Sequence, residues 1–205
     1  MAETVHLFIF DGLADWEPGF AIAGINDPSH QREPGRYVVR TVSPHGKVIT
    51  STGGLRIQPD LALSDLRPDD SALLILAGGA GWDDGKHGDA ADLAARFLAQ
   101  GKPVAAICGA TAGLARNGLL DTRKHTSNAP QYLSATGYKG AALYREDAVV
   151  SDGNLITASS MAPLDFARAI FARLDLYEPA VLDAWYGLFS TRRPEYFAAL
   201  VAASD

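Results

Sequence analysis

The chain has 205 residues, 47% of them apolar and 20% charged, with a formal net charge of −6; this suits one globular domain with a full core, and with no block of five like charges and no basic face it excludes nucleic acid and anionic membranes as partners. A single cysteine forbids an internal disulfide, and no Cys/His ligand spacing points to a metal or cofactor. No basic n-region or cleavage site opens the chain and no segment is long enough to span a bilayer, so the expected location is cytoplasmic.

Thr4 to Phe10 reads as a first strand, near-continuously apolar as a strand covered on both faces should be, and it ends at Asp11-Gly12. Asp15 is placed to cap a helix with Pro18 in its first turn and Phe20, Ile22, Ala23 and Ile25 along it, which puts Glu17 at or just before the helix N-terminus. Asn26 to Arg36 is a polar loop, expected to run across the surface, leading into the strand Tyr37 to Val42. Lys47 to Ile57, broken by Gly53-Gly54, has the look of a short hairpin, and Leu61 to Leu66 makes a brief helical turn before Pro68. Ala72 to Ala77 is a second apolar strand, ending at Gly78-Gly79-Ala80-Gly81-Trp82. This glycine-rich turn is not a GxGxxG and does not follow the first strand, which argues against a nucleotide fingerprint.

Asp89 to Gln100 is an amphipathic helix with Asp89 as its expected cap and Leu93, Ala94, Phe97 and Leu98 at helical spacing. After Pro103 comes the buried-strand pattern Val104 to Ile107, which stops at Cys108, and small residues then hand over to a helix, Ala110 to Asn117, closed by Gly118. A strand, a sharp turn and a helix leave the cysteine sulfur proud of the backbone, as the serine stands in a hydrolase nucleophile elbow. The helix N-terminus should favour thiolate and bring the thiol below the roughly 8.5 of free cysteine. The alternative is an inert cysteine packed as a small hydrophobe.

His125 to Asn128 is expected to return as a short strand beside the elbow, and Pro130 to Ala135 as a helix stopped by Gly137. Ala148 to Ser151 and Leu155 to Ala158 form a hairpin across Asp152-Gly153, followed by the helix Leu164 to Leu174. The tail from Pro179 carries Leu182, Trp185, Tyr186, Leu188, Phe189, Tyr196, Phe197 and Leu200 on two short helices, and it either packs back on the core or builds a subunit interface. The alternation of strands and helices predicts a flavodoxin-like three-layer α/β/α sandwich with a mainly parallel sheet, one domain over residues 1–205 with 175–205 as a C-terminal helical extension.

Three segments, Phe8-Ile9-Phe10-Asp11-Gly12-Leu13-Ala14-Asp15-Trp16-Glu17, Leu76-Ala77-Gly78-Gly79 and Ala105-Ala106-Ile107-Cys108, occur in this order and at these separations. Together they resemble the DJ-1/PfpI (ThiJ) family of the class I glutamine amidotransferase-like superfamily, over roughly residues 4 to 174. The resemblance implies that Glu17 hydrogen-bonds the Cys108 sulfur, that the N–H groups of Gly79 and Gly109 form an oxyanion hole, that the segment Ser159 to Pro163 borders the pocket, and that the protein is a homodimer. It implies no single activity, because the family includes hydratases, glyoxalase-like enzymes, reported peptidases and chaperones.

The sequence departs from the pattern at one place. Aligning the family's hydroxyl pair to Thr126-Ser127 puts Asn128 where many members carry a histidine, and asparagine cannot accept and return a proton; a Cys-His peptidase or amidase is therefore disfavoured. His125, three residues away, faces the opposite side and is expected to meet solvent or a partner. His87 lies in the loop Gly85 to Gly88, either solvated or folded over the pocket, while His6, His30 and His45 carry no motif. Trp82, Asn128 and Thr111 are candidates to line the pocket, Trp82 as its roof or else as packing. The resulting expectation is an enzyme without cofactor, in which Cys108 adds to a small electrophilic molecule, Glu17 carries a proton, and Gly79 and Gly109 hold the anion, as in hydratase, glyoxalase-like or amide-type lyase and hydrolase chemistry. The alternatives are a non-catalytic stress or redox protein whose Cys108 is oxidised, and a ligand-binding module.

Overall fold

A computed structural model of the chain describes residues 2–204. Strand β1 (Glu3–Phe8) leads into helix α1 (Gly19–Asn26) and strand β2 (Tyr37–Ser43). A small antiparallel pair, β3 (Ile49–Thr50) and β4 (Arg56–Ile57), precedes the edge strand β5 (Leu61–Ala62) and the apolar strand β6 (Leu73–Leu76). Helix α2 (Gly88–Ala99), strand β7 (Val104–Ile107), helix α3 (Gly109–Arg116) and helix α4 (Pro130–Ser134) follow. The hairpin β8 (Val149–Asp152) and β9 (Leu155–Ala158) then gives way to helices α5 (Pro163–Leu174), α6 (Pro179–Thr191) and α7 (Pro194–Ser204).

One sheet of seven strands runs in the order β5-β2-β1-β6-β7-β9-β8, every neighbour parallel except the β8–β9 pair. Because the order runs outward from β1 in both directions, right-handed crossovers place α1 and α2 on opposite faces; α1 packs against α5, and α2 against α3. This is the flavodoxin-like sandwich that the alternating pattern predicted. The inner strands are apolar throughout because both of their faces are covered: Leu73 to Leu76 and Val104 to Ile107 are fully buried. Among the described residues no helix is long and apolar enough to cross a membrane.

Several local expectations change. Asp15 caps nothing: α1 starts after Pro18 without a side-chain cap, and the Asp15 carboxylate accepts the Gly53 N–H at 2.6 Å. Asp11 likewise accepts the Thr50 N–H at 2.7 Å, so both acids tie the β3–β4 hairpin to the loop after β1. Asp89 falls inside α2, whose cap position belongs to His87 and has no side-chain hydrogen bond. The Leu61 to Leu66 segment opens as edge strand before its helical turn at Leu63–Asp65. No strand forms at 125–128 beyond a single bridge from His125 to Tyr144, since the Thr126 N–H is taken by the Thr157 hydroxyl and its own hydroxyl donates to the Asp147 carbonyl. The 26–36 loop is anchored by buried Gln31, whose amide donates to the carbonyls of Gly24, Ile25 and Asp27 at the end of α1. In the tail, Trp185 packs on Phe171 and Phe20 at ring separations of 4.9 and 6.3 Å, whereas Phe189, Phe197 and Val201 stay largely exposed.

Three histidines are buried: His6 on the Ser71 hydroxyl, His87 among aromatic rings, and His125 on the Arg123 carbonyl. Burial holds all three below the usual imidazole range. A group whose folded pKa is depressed keeps its full stability above its unfolded pKa of 6.5 and loses it as pH falls, because only the unfolded chain takes the proton. Thermal melts are therefore expected to fall steadily from pH 7 to about pH 5, each histidine contributing at most about 1.4 kcal/mol per pH unit. A flat melting temperature over that range would show that the imidazoles are protonated in the fold.

Candidate active site

Cys108 stands at the end of β7 with φ 58° and ψ −125°, a backbone conformation costly for a residue with a side chain. The turn is held by three hydrogen bonds. The Cys108 N–H donates to the Ala158 carbonyl at 3.0 Å, and the Cys108 carbonyl accepts from both the N–H and the hydroxyl of Thr111. Thr111 is fully buried, its hydroxyl also 2.6 Å from that of Ser127, so it braces the elbow from behind and does not line a pocket.

Glu17 has no exposed surface. One carboxyl oxygen, Oε2, accepts the Gly78 N–H at 2.5 Å, and the carboxyl also hydrogen-bonds the Cys108 thiol. The other oxygen, Oε1, is buried with no partner. The loop that carries Glu17 is stitched to the turn after β6 at the same residue, the Ala14 N–H donating to the Gly78 carbonyl at 3.0 Å. A Cβ at Gly78 would lie 2.6 Å from the Cys108 Cβ, 2.7 Å from Glu17 Oε2 and 2.9 Å from the sulfur, so only glycine lets the two reactive side chains meet there. Sequence reasoning singled out Gly79 and passed over Gly78; the Gly-Gly doublet was the available signal.

Gly79 and Gly109 are adjacent: a Cβ on Gly109 would come within 3.0 Å of the Gly79 carbonyl. The Gly109 N–H hydrogen-bonds the sulfur of Cys108, and among the described residues the Gly79 N–H makes no hydrogen bond. A side chain at Gly79 would run into the Gly12 carbonyl at 2.6 Å and the Phe10 ring at 2.7 Å. On the other side of the sulfur, the Asn128 amide Nδ2 donates to Sγ at 3.5 Å, while its Oδ1 accepts the Ser160 N–H at 2.9 Å, which fixes which end of the amide faces the cysteine. Asn128 thus fills the place of the missing histidine as a donor, held there by Ser160 of the segment that the resemblance put at the border of the pocket.

The charge balance differs from expectation. Burial pushes the Cys108 thiol up to about 11; the Asn128 amide and the Gly109 N–H pull it back, and the Glu17 carboxylate adds to the rise. Desolvation of the half-buried sulfur beside an acid thus sets a direction opposite to the one expected from the N-terminus of α3. Burial also raises the Glu17 carboxyl above the ordinary carboxylate range, against the pull of its hydrogen bonds from Cys108 and Gly78. Burial thus disfavours the charged form of both groups, and two acids in contact titrate as a pair.

Three further residues sit elsewhere. Trp82 roofs nothing: it is buried, its indole N–H donates to the Ala77 carbonyl at 2.8 Å, and its ring lies against Gly109 and Gly113 beneath α3. His87 is neither solvated nor among the groups that contact the sulfur. Its ring packs on Phe10 at 4.1 Å and on Trp82 at 5.0 Å, with Nε2 buried against Gly81 and unpartnered. His125 is fully buried between the Arg123 carbonyl and the Tyr138 hydroxyl, so the expected exposure to solvent or a partner does not occur.

The sequence profile of the DJ-1/PfpI family matches residues 3–173. The protein named Uncharacterized protease YoaZ of Bacillus subtilis (strain 168) is 40% identical over 200 residues, covering 96% of this chain and 95% of that protein. The crystal structure of a thiJ/pfpI family protein from Bacillus anthracis superposes with a TM-score of 0.93 at 40% identity, over 99% of this chain and 97% of that one. Deglycase PfpI of Pyrococcus furiosus is 32% identical over 101 residues, 49% of this chain and 61% of its own length.

Proposed function

The chain belongs to the DJ-1/PfpI family, and from that premise we propose that Cys108, Glu17 and the paired N–H groups of Gly79 and Gly109 convert a small reactive aldehyde, without a cofactor, by hydration or isomerisation. The observation that carries this reading is the buried Glu17 carboxyl, one oxygen held on Gly78 and near the thiol, the other unpartnered. Such a group takes the thiol proton as the carbon–sulfur bond forms and the carbonyl electron pair moves onto oxygen. The N–H groups of Gly79 and Gly109 then stabilise that oxyanion, and Glu17 returns the proton to it. Because the thiol is pushed up to about 11, attack is coupled to this transfer and does not draw on a standing thiolate.

The name of the archaeal relative as a deglycase favours an aldehyde over an amide, and Asn128, which cannot protonate a leaving amine, weighs against the peptidase role that the Bacillus subtilis name suggests. The test is conversion of methylglyoxal to its hydroxy acid by the full chain. Activity is expected to fall by at least about a hundredfold in Cys108→Ser. Protein that is inert toward methylglyoxal yet gains mass at Cys108 with peroxide would replace this reading with redox sensing. Protein that binds methylglyoxal reversibly and leaves it unchanged would replace it with a ligand-binding module. The same proposal includes a homodimer, with the exposed Phe189, Phe197 and Val201 of the tail at its interface; a monomer in sedimentation would remove that part.

A further inference from the structure

The turn that follows Gly79 is a short 3-10 turn, Ala80–Trp82, closed by its own backbone bonds from the Trp82 N–H to the Gly79 carbonyl at 3.2 Å and from the Asp83 N–H to the Ala80 carbonyl at 3.0 Å. Gly78, Gly79 and Gly81 lie within four positions, and glycine restricts the backbone least. Side chains add to those backbone bonds and fix the turn against the rest of the fold. The Trp82 indole ties it to Ala77, and the Arg116 guanidinium donates to the carbonyls of Trp82 at 2.6 Å and Asp83 at 3.3 Å. One further bond reaches the turn from later in the chain: the Tyr132 hydroxyl donates to the Asp83 carboxylate at 2.5 Å. Tyr132 belongs to α4, which starts two residues after Asn128. A hydrogen bond from a phenol to a carboxylate is charge-assisted and about twice as strong as a neutral one. The phenol is half-buried and near enough to Cys108 for a charge on the sulfur to raise its pKa, alongside burial and Asp83.

We propose that Tyr132 is a positioning residue of this site: through Asp83 it joins the turn that presents the Gly79 N–H to the helix that follows Asn128, and so keeps the donors on both sides of Cys108 aimed. The proposal rests on the reading of Cys108 as the reacting group, and its test includes an arm that needs no turnover. That arm is the rate of Cys108 alkylation by iodoacetamide from pH 6 to about pH 10. In Tyr132→Phe the turn that carries Gly79 is no longer tied to α4, the donors around the sulfur are aimed less well, the thiolate is stabilised less, and alkylation at pH 8 is expected to slow about fivefold. With methylglyoxal as substrate, kcat is expected to fall about tenfold while KM stays within about twofold, because the lost interaction belongs to the developing oxyanion.

Asp83→Asn keeps an acceptor oxygen for the phenol and is expected to retain most of the wild-type alkylation rate. Asp83→Ala should match Tyr132→Phe, and the double variant should be no worse than either single one, as for two members of one bond. If Tyr132→Phe does not fold, the comparison of Asp83→Asn with Asp83→Ala decides. The proposal is overturned if Tyr132→Phe alkylates along the wild-type pH curve, if the two Asp83 variants behave alike, or if the two losses add. If the wild-type protein does not turn over methylglyoxal, the functional reading fails and the alkylation arm still decides the role of Tyr132.

Discussion

Gly78→Ala is expected to abolish turnover while leaving a folded, less stable protein. The added methyl would stand 2.6 Å from the Cys108 Cβ, 2.7 Å from Glu17 Oε2 and 2.9 Å from the sulfur, all far inside contact distance. Cys108 cannot withdraw, because its backbone is fixed by Ala158 and Thr111, so Glu17 must leave the Gly78 N–H and the thiol. Overpacking of this kind costs typically about 1–3 kcal/mol, and a displacement near 1 Å of a proton-carrying group costs on the order of a hundredfold in rate. Gly24→Ala is the control: its methyl would meet the Phe171 ring at 2.4 Å, between α1 and α5. Both variants should melt at lower temperature, and only Gly78→Ala should lose methylglyoxal conversion. Retained activity in Gly78→Ala would show that Glu17 and Cys108 need not touch.

Glu17→Gln is expected to separate the reactivity of the thiol from turnover. The Glu17 carboxylate contributes to the raised Cys108 pKa, so a neutral amide should lower it and speed alkylation at pH 8. Turnover should nonetheless fall by about 10²–10⁴, the usual contribution of a positioned acid–base group. Stability should move as well. Burial raises the folded pKa of Glu17 above its unfolded value of 4.5, so the stability associated with the protonated form is full below the unfolded pKa and is lost as pH rises through the folded one. Glutamine has no such loss, and the variant should melt higher than the wild type at pH 7 while the difference shrinks toward pH 4. Slower alkylation in Glu17→Gln would mean that the acid helps form the thiolate and does not oppose it.

The legible parts of this chain are those set by local pattern. Unbroken apolar runs at Leu73 to Leu76 and Val104 to Ile107 announce strands covered on both faces, and the small residues after Cys108 announce the elbow. What was misread depended on partners distant in sequence. An acid just before a helix reads as a cap, and nothing local in Asp15 reveals that Gly53 will claim it. A histidine between glycines reads as solvated, yet the rings of Phe8 and Phe10 from β1 draw His87 inward. The thiol shifts up and not down for a related reason: the start of a helix is visible in sequence, whereas the burial of the sulfur belongs to the assembled fold.

The way Asn128 is held, by Ser160 on one side and against Cys108 on the other, bears on how the protein is made. The contacts around the sulfur span separations of 61 residues from Glu17 to Gly78, 20 from Cys108 to Asn128 and 32 from Asn128 to Ser160. Parallel strands joined over such distances pair slowly, and a chain emerging from the ribosome presents Cys108 long before Ser160 is available to fix Asn128. During that interval the thiol is an ordinary solvated one, near the free value of roughly 8.5. It becomes a guarded group only when the last of these segments docks, so loss of alkylation near neutral pH during refolding should time the completion of the whole sheet.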